Sequence, residues 1–394
     1  MKAGSARRSS ALASLSLALS LEATSGAAEF ATSLPHTLWL GAPAGLASSR
    51  EVDARGTRRA ASLPEPESVR VGWHQRLAGG ASGNVLVDAA GRIFVPGLRR
   101  VTELASEGSI RHELEAPFST SVAAALLADG TRAVLTREGR VLGWAETGAC
   151  VFQAELSVPP PTGSSALLPL DDGGLLVAVG RWLFAFDASR GPPLHVGLPS
   201  AVALVRQVGE RTLIVDERGR VFEWRRGSVP QPIGELSAPA DAALGDGGLL
   251  IALTRARTLE SLDPSTGRRQ ELARFDAPGL LPLIALPEAG TWVTLGPEGD
   301  WMLVGANMPP AARARPKREG GAVREAQLLV DARGGIVHWA ANRPLSVGNV
   351  QGAERDLGEV RCSDPVGLVP AGPGRLVAVC GSGALWLLES PALP

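Results

Sequence analysis

The chain contains no tyrosine, and aromatic residues make up only 4% of its 394 positions. Lys2 and Lys317 are its only lysines, so nearly all of its 39 basic residues are arginines. Acidic residues number 40, and no stretch gathers positive charge into a stripe. Because phosphate binding needs concentrated positive charge, the sequence argues against a nucleic-acid partner. We interpret the preference for arginine as a bias of genome composition.

The motifs of the common catalytic and metal sites are also missing. The sequence has no His-Glu-x-x-His pair, no Gly-x-Ser-x-Gly, no Gly-x-x-x-x-Gly-Lys loop and no Asp-x-Asp-x-Asp-Gly run. The five histidines lie far apart in the chain and give no zinc-type spacing: they are His36, His74, His112, His195 and His338. The sequence therefore predicts no catalytic residue, no metal and no cofactor at a local motif.

Long apolar runs are absent apart from one short stretch near the N-terminus. Lys2, Arg7 and Arg8 precede the apolar residues 11–21, and small residues follow up to Ala28. This order is typical of a signal peptide, and the stretch is too short to span a bilayer permanently. No cysteine lies near the expected cleavage position, which argues against a lipoprotein anchor. We predict a periplasmic or secreted protein without a transmembrane segment after cleavage; the alternative is a disordered N-terminal tail on a cytoplasmic protein.

A glycine-containing turn recurs eight times at steps of 36 to 44 residues. The marker glycines are Gly91, Gly130, Gly173, Gly209, Gly247, Gly290, Gly334 and Gly374. A period of about forty residues with several short strands per unit is typical of a β-propeller. The sequence therefore predicts an all-β protein, a single propeller of four-stranded blades.

The strands of a blade can be assigned most clearly in the second unit. We predict them at residues 122–127, 133–136, 140–144 and 150–156, each followed by a glycine turn or a break. The last unit lacks a fourth strand, and residues 69–77 form an unassigned strand upstream of the first unit. If that N-terminal strand completes the last blade, the ring closes without an exposed edge.

This count gives eight blades, with seven as the alternative because residues 308–321 and 344–354 have a poor strand pattern. The predicted organisation is a signal peptide at 1–28, a linker or N-terminal extension at 29–67, and the β-propeller at 68–390.

Three cysteines complete the inventory of candidate residues. Cys362 and Cys380 flank the turn at Gly374, and a hairpin about that turn brings them close enough for a disulfide. Export would favour such a bond. Cys150 is then left over, and we predict a buried thiol there.

Two segments, each consisting of a third predicted strand and the turn after it, carry a family resemblance. Residues 183–191 read Leu-Phe-Ala-Phe-Asp-Ala-Ser-Arg-Gly, and residues 259–267 read Leu-Glu-Ser-Leu-Asp-Pro-Ser-Thr-Gly. They resemble the repeats of pyrroloquinoline-quinone-like propellers, although the family's tryptophan four residues after the glycine is missing. The catalytic members carry adjacent cysteines, which this chain does not have. The resemblance therefore implies the non-catalytic branch, which includes an eight-bladed periplasmic lipoprotein that helps to assemble outer-membrane β-barrels.

Together these observations predict an exported, non-enzymatic propeller that acts as a protein-interaction scaffold in the bacterial cell envelope. We expect a monomer that binds a protein partner through its loops or its central face. The arginine-rich residues 313–324 are a candidate contact for an acidic partner, or else a solvated loop. The alternatives are an enzyme (hydrolase, lyase or dehydrogenase) and a glycan or small-ligand binder, each with a site at the central channel.

Overall fold

A computed structural model describes most of the chain. The described residues are 59–60, 62–82, 85–115, 121–158, 165–170, 172–208, 211–244, 248–274, 284–285, 291–295, 301–305, 308–311, 326–331, 333–349 and 353–391. They contain 33 β-strands and no α-helix. The predicted signal peptide, most of the predicted extension and the arginine-rich segment 313–324 lie outside the described residues.

The strands form eight sheets, of which seven have four strands and one has five. Blade 1 consists of β3 (Leu86–Val87), β4 (Ile93–Pro96), β5 (Arg100–Leu104) and β6 (Ile110–Glu115). Blade 2 consists of β7 (Ser121–Leu126), β8 (Arg132–Thr136), β9 (Arg140–Trp144) and β10 (Cys150–Glu155). Blade 3 consists of β11 (Ser165–Pro169), β12 (Leu175–Val179), β13 (Trp182–Phe186) and β14 (Leu194–Gly197). Blade 4 consists of β15 (Val202–Val208), β16 (Arg211–Asp216), β17 (Arg220–Trp224) and β18 (Gln231–Glu235).

The second half of the ring repeats this antiparallel meander. Blade 5 consists of β19 (Pro239–Leu244), β20 (Leu250–Thr254), β21 (Thr258–Leu262) and β22 (Arg269–Arg274). Blade 6 consists of β23 (Ile284–Ala285), β24 (Thr291–Leu295), β25 (Trp301–Gly305) and β26 (Met308–Ala311). Blade 7 consists of β27 (Ala326–Asp331), β28 (Gly335–Ala340), β29 (Pro344–Asn349) and β30 (Glu354–Arg361), with the additional strand β1 (Arg59–Ala60). Blade 8 consists of β31 (Pro365–Gly372), β32 (Arg375–Cys380), β33 (Ala384–Glu389) and β2 (Arg70–Arg76).

Blade 8 closes the ring. Its three C-terminal strands are completed by the N-terminal strand β2, which pairs antiparallel with β33 from Arg70 opposite Glu389 to Arg76 opposite Ala384. The inner strand β31 contacts both β27 of blade 7 and β3 of blade 1. A β-propeller closed by an N-terminal strand is therefore confirmed, and the eight sheets correspond to the eight turn units of the sequence.

The core of the molecule lies between neighbouring blades. The second strands are apolar at nearly every position, as in Leu175–Val179, because both of their faces are covered by adjacent blades. The outermost strands alternate between exposed and partly buried residues, as in Arg70–Arg76. Tryptophans fill the gaps between blades, and Trp339 meets Trp386 edge to face with ring centroids 5.8 Å apart.

The extra strand β1 lies at the inner edge of blade 7. It pairs in parallel with β27, with Arg59 opposite Val330 and Ala60 opposite Asp331. Downstream, the Leu63 amide donates a hydrogen bond of 2.8 Å to the Asp331 carboxylate, and Ala60 and Leu63 are both buried. The residues that pack into the propeller therefore begin upstream of position 68.

Two stretches with poor strand pattern nevertheless form strands. Pro344 is the first residue of β29, where a missing amide hydrogen disturbs the ladder least. Pro309 and Pro310 lie in β26, the outermost strand of blade 6, whose outer edge needs no donor. Proline thus weakened the sequence signal at positions where the sheet tolerates it.

Candidate interaction surface

The meander gives the ring two different faces. In each blade, the turns between strands one and two and between strands three and four lie at one end. The turn between strands two and three lies at the other end, together with the connection to the next blade. Hydrogen bonds support this arrangement, because the Arg255 amide in such a turn donates to the Ala238 carbonyl in an inter-blade connection at 2.9 Å.

On the first face, charged residues join each blade to the next. The first turn region of one blade forms an ion pair with the third turn of the following blade at three successive interfaces. The pairs are Arg92–Glu146, Asp129–Arg190 and Asp172–Arg226. The same step between blades 8 and 1 uses Arg375, whose guanidinium donates to the Ser106 carbonyl at 3.0 Å. We call this side the ion-pair face, and its arginines serve the assembly of the ring.

A buried charge network strengthens the interface between blades 1 and 2. The Arg132 guanidinium is 3% exposed and lies 3.4 Å from an Asp88 carboxylate oxygen and 3.6 Å from one of Glu103. Asp88 also accepts a hydrogen bond of 2.6 Å from the Arg92 guanidinium. Because buried charges need partners, this network fixes how the two blades pack against each other.

The ion-pair face predicts loss of stability in acid. Burial raises the pKa of Asp129, but hydrogen bonds from Arg190 and from the Thr131 amide outweigh it, so the pKa is lowered. The hydrogen bond from Arg92 lowers the pKa of Glu146. Carboxyl groups with a lowered folded-state pKa stabilise the fold fully above their unfolded values of about 4, and this stability is lost as the pH falls through the folded-state pKa.

We therefore expect the urea midpoint of unfolding to stay constant from pH 7 to about 5 and to fall steadily below about pH 4. Asp129→Asn should lower the midpoint at pH 7 and make its decline in acid shallower. An equally steep decline in this variant would show that the Asp129–Arg190 pair does not contribute.

The opposite face presents arginine in a different way. The turn between the second and third strands carries an exposed arginine in each of the first five blades. These residues are Arg99, Arg137, Arg181, Arg218 and Arg255. We call this side the arginine face and define it by these five residues. Because they occupy equivalent turns of consecutive blades, they form an arc along more than half of the ring.

The backbone of these turns is held by repeated hydrogen bonds, while the side chains extend into solvent. The residue after the outermost strand donates back to the turn of its own blade: Leu156 to Gly139 at 2.9 Å, Leu198 to Arg181 at 2.8 Å and Leu236 to Gly219 at 2.8 Å. Each of these leucines is buried. A repeated anchor of this kind places the arginine side chains on a rigid frame.

The turn of blade 4 has the strongest anchor. The Asp216 carboxylate is fully buried and accepts hydrogen bonds from the backbone amides of Arg218 and Arg220 at 3.0 and 2.9 Å. It also accepts from the Arg220 guanidinium at 2.8 Å and from the Ser200 hydroxyl at 2.5 Å. Gly219 follows with φ of +90°, and a Cβ there would overlap the Leu236 carbonyl oxygen.

The five arginines differ from those of the ion-pair face in their contacts. Among the described residues, no ion pair involves the side chain of any of the five. The Arg181 guanidinium lies over the Trp182 ring at 5.2 Å. Exposed Glu138 and Glu217 are sequence neighbours of two of the arginines. With exposed Arg257 in the turn of blade 5, six guanidinium groups against two carboxylates leave these turns with net positive charge.

The histidines occur in separate blades. His74 stacks on Trp386 at 5.0 Å, while His112 and His195 lie in the outermost strands of blades 1 and 3. His338 is buried, with Nε2 3.3 Å from a Glu354 carboxylate oxygen. His36 lies outside the described residues. In the part of the chain that the structure describes, a set of three or more candidate metal ligands occurs only at Cys362, Asp364 and Cys380.

Among the described residues, the inner strands carry one buried charged pair, Arg206 and Asp241. The Arg206 guanidinium donates to the Ala242 carbonyl at 2.7 Å and to the Val205 carbonyl at 2.9 Å, and it lies 3.8 Å from an Asp241 carboxylate oxygen. Both side chains are buried. The contacts join blade 4 to blade 5, so this pair has a structural role at the edge of the channel.

The structure joins Cys362 and Cys380 by a disulfide, with the Cα atoms 5.8 Å apart. Formation of this bond in the cellular protein stays a prediction. The prediction of a buried thiol at Cys150 is wrong, because this residue is exposed at the start of β10. The outermost strand of a propeller blade has one face in solvent, which explains the exposure.

Two solved structures are similar to this chain in fold. BamB from Moraxella catarrhalis superimposes with a TM-score of 0.61 at 15% identity, covering 83% of this chain and 99% of that one. The computationally designed Ika8 protein gives 0.59 at 16% identity, covering 84% and 99%. No protein-family model matches the chain, and no curated protein matches it by sequence. The likeness shows a propeller fold of the BamB type.

Within the described residues, no helix is long and apolar enough to cross a membrane.

Proposed function

We propose that this protein is a non-enzymatic scaffold of the bacterial cell envelope that binds an acidic protein partner through its arginine face. The observation that carries the proposal is the arc of five exposed arginines at equivalent turns, none of them in an ion pair within the described residues. On the ion-pair face, arginines form ion pairs between neighbouring blades. Whether an arginine is paired therefore depends on its face and not on the overall arginine content.

The chemistry of arginine supports a protein partner with exposed carboxylates. The planar guanidinium group offers donors in a fixed fork that matches a carboxylate, and it is weakly hydrated. Rigid turns reduce the conformational entropy that binding would cost. A complementary charged surface mainly accelerates association and selects the partner. The likeness to BamB is consistent with an envelope protein, and the predicted signal peptide supports export.

The alternatives at the central channel have less support. An enzyme would need titratable side chains that converge from several blades, and a glycan binder would need clustered exposed tryptophans. The described inner strands offer Arg206, which donates to the Ala242 carbonyl of blade 5, and Asp241, whose carboxylate forms an ion pair with Arg206. Trp144, Trp224 and Trp339 are buried between blades. No observation therefore favours either alternative.

The test compares two triple variants of equal charge. Arg137→Ser, Arg181→Ser and Arg218→Ser remove positive charge from the arginine face. Arg225→Ser, Arg268→Ser and Arg333→Ser remove the same charge from exposed turns of the ion-pair face. Wild type and both variants are used to capture partners from envelope extract at low and high salt.

We expect wild type to capture one envelope protein in near-stoichiometric amount, and the first variant to recover it about tenfold less. Three exposed pairs at about 0.5 kcal/mol each give a loss of this size. High salt should weaken capture by wild type, because exposed charges are screened. Equal capture by the two variants would contradict a role for the arginine face.

A further inference from the structure

The disulfide lies beside a carboxylate at the junction of blades 7 and 8. Cys362 follows β30, Cys380 ends β32, and Asp364 lies in the connection between the two blades. Both cysteines are buried, and Asp364 is partly exposed. The Asp364 Oδ1 atom lies 3.3 Å from Cys362 Sγ and 3.0 Å from Cys380 Sγ. One oxygen therefore contacts both sulfur atoms.

Each sulfur also has a hydrogen-bond donor of its own. The Asp364 amide donates to Cys362 Sγ at 3.3 Å, and the Ser382 hydroxyl lies 3.2 Å from Cys380 Sγ. Donors directed at sulfur stabilise a thiolate more than a disulfide, because the thiolate carries the negative charge. Similar contacts from neighbouring groups orient and tune cysteine ligands in metal sites.

When the disulfide is reduced, the charges of Cys362, Cys380 and Asp364 favour the binding of a cation. Two thiolates and one carboxylate would bring three negative charges together in a mostly buried place, which is unfavourable without compensation. Two protons compensate them in the dithiol form. One divalent cation does the same and binds all three groups at once, since their ligand atoms lie within 4.8 Å of one another.

We propose that Cys362, Cys380 and Asp364 bind one thiophilic divalent cation such as Zn²⁺ when the disulfide is reduced, and release it on oxidation. Reduction by a dithiol breaks the sulfur–sulfur bond, adds two electrons and two protons to the pocket, and converts the dithiol to its own disulfide. The cation then displaces both thiol protons to solvent. Oxidation by a small-molecule disulfide is the reverse exchange: that disulfide takes two electrons from the thiolates and two protons from solvent to become a dithiol, the Cys362–Cys380 bond forms again, and the cation is released. Two thiolate sulfurs and one carboxylate oxygen are ligands that suit Zn²⁺, which binds Cys and Asp side chains in tetrahedral geometry.

The backbone geometry is compatible with both the disulfide and the zinc-bound form of Cys362 and Cys380. Tetrahedral zinc with zinc–sulfur bonds of about 2.3 Å holds two sulfurs roughly 3.8 Å apart. Side-chain rotation can open the pair to that distance, because the Cα atoms are 5.8 Å apart and need not move far. The three protein ligands leave a fourth position toward solvent, beside Asp364, for a water molecule.

The experiment uses the full chain with Cys150→Ala, which removes the one remaining thiol. Before reduction, thiol titration of the unfolded protein should find no free thiol in this variant. The protein is then reduced with dithiothreitol, desalted without oxygen and titrated with Co²⁺, whose thiolate charge-transfer absorption reports sulfur ligation. Zn²⁺ is added afterwards as a competitor, and thermal unfolding verifies the fold of every variant.

We expect one Co²⁺ per reduced chain, a charge-transfer band that Zn²⁺ abolishes, and no band in the oxidised protein. Asp364→Asn should keep the band but weaken Co²⁺ binding about tenfold or more, and Cys362→Ser should abolish it. Ser382→Ala is the control for a group that only supports a ligand, with a smaller loss expected. A reduced, folded chain without the band, or an unchanged affinity in Asp364→Asn, would overturn the proposal.

Discussion

Removing residues 1–76 is expected to prevent the chain from forming a stable ring. The deletion removes β2 and exposes the edge of β33, which is otherwise paired from Arg70 to Arg76. It also removes Leu63 and Val69, which are buried against blades 7 and 8, and the indole of Trp73, which donates to the Ser106 carbonyl of blade 1 at 3.1 Å. Three such side chains stabilise the fold by on the order of 6 kcal/mol. That is comparable with the whole stability of a typical domain, about 5–15 kcal/mol.

Circular dichroism and gel filtration of the deletion variant measure this effect, with loss of the cooperative melting transition and aggregation as the expected result. A chain that begins at residue 58 retains β1 and β2 and is the matched control, with an unchanged melting temperature expected. A chain that begins at residue 68 loses β1 and Leu63 but keeps β2, and should melt between the two. A stable monomer without residues 1–76 would contradict the closing role of β2.

Replacing Asp216 by alanine is expected to destabilise the protein by about 3–5 kcal/mol, because its buried carboxylate is the shared acceptor of several donors and each buried donor left without an acceptor costs about 1–3 kcal/mol. The substitution leaves Arg220, the Ser200 hydroxyl and two backbone amides without their acceptor. Because these groups lie in the turn that presents Arg218, the variant should also weaken partner capture.

Asp263→Ala is the matched control for this substitution. Asp263 accepts hydrogen bonds from the Ser265 amide and from the Ser265 and Thr266 hydroxyls, which lower its pKa to about 2, but it lies at the surface. Water can replace these bonds, so the loss of stability should be much smaller. Urea denaturation measures both variants. Equal effects would show that the burial of Asp216 is not what matters.

Local signals in the sequence suffice to predict most strands of the fold. The predicted strand at residues 140–144 has the observed bounds, because glycine turns mark both of its ends. The predicted strand at 69–77 corresponds to β2, found as the one strand that the last unit lacked. By contrast, β1 pairs with a strand some 270 residues away, and nothing local in Arg59–Ala60 indicates a strand.

The candidate surface was not predicted from the sequence, although part of the signal is there. Arg218 directly precedes the turn glycine Gly219, and Arg137 lies two residues before the turn glycine Gly139. Positions in such turns are exposed in a propeller. Their assignment to one face required the observed order of strands in each blade. The ion pair between Asp129 and Arg190 joins residues 61 positions apart, so it depends on the packing of blades and not on a motif.

The central claim is that the arginine face, and not the ion-pair face, binds the partner. Chemical modification of arginine by phenylglyoxal, followed by mass spectrometry of the free protein and of the captured complex, tests it most directly. We expect protection of Arg99, Arg137, Arg181, Arg218 and Arg255 in the complex, with unchanged reactivity of Arg225 and Arg268. Protection of Arg225 and Arg268 with full reactivity of the five turn arginines would contradict it.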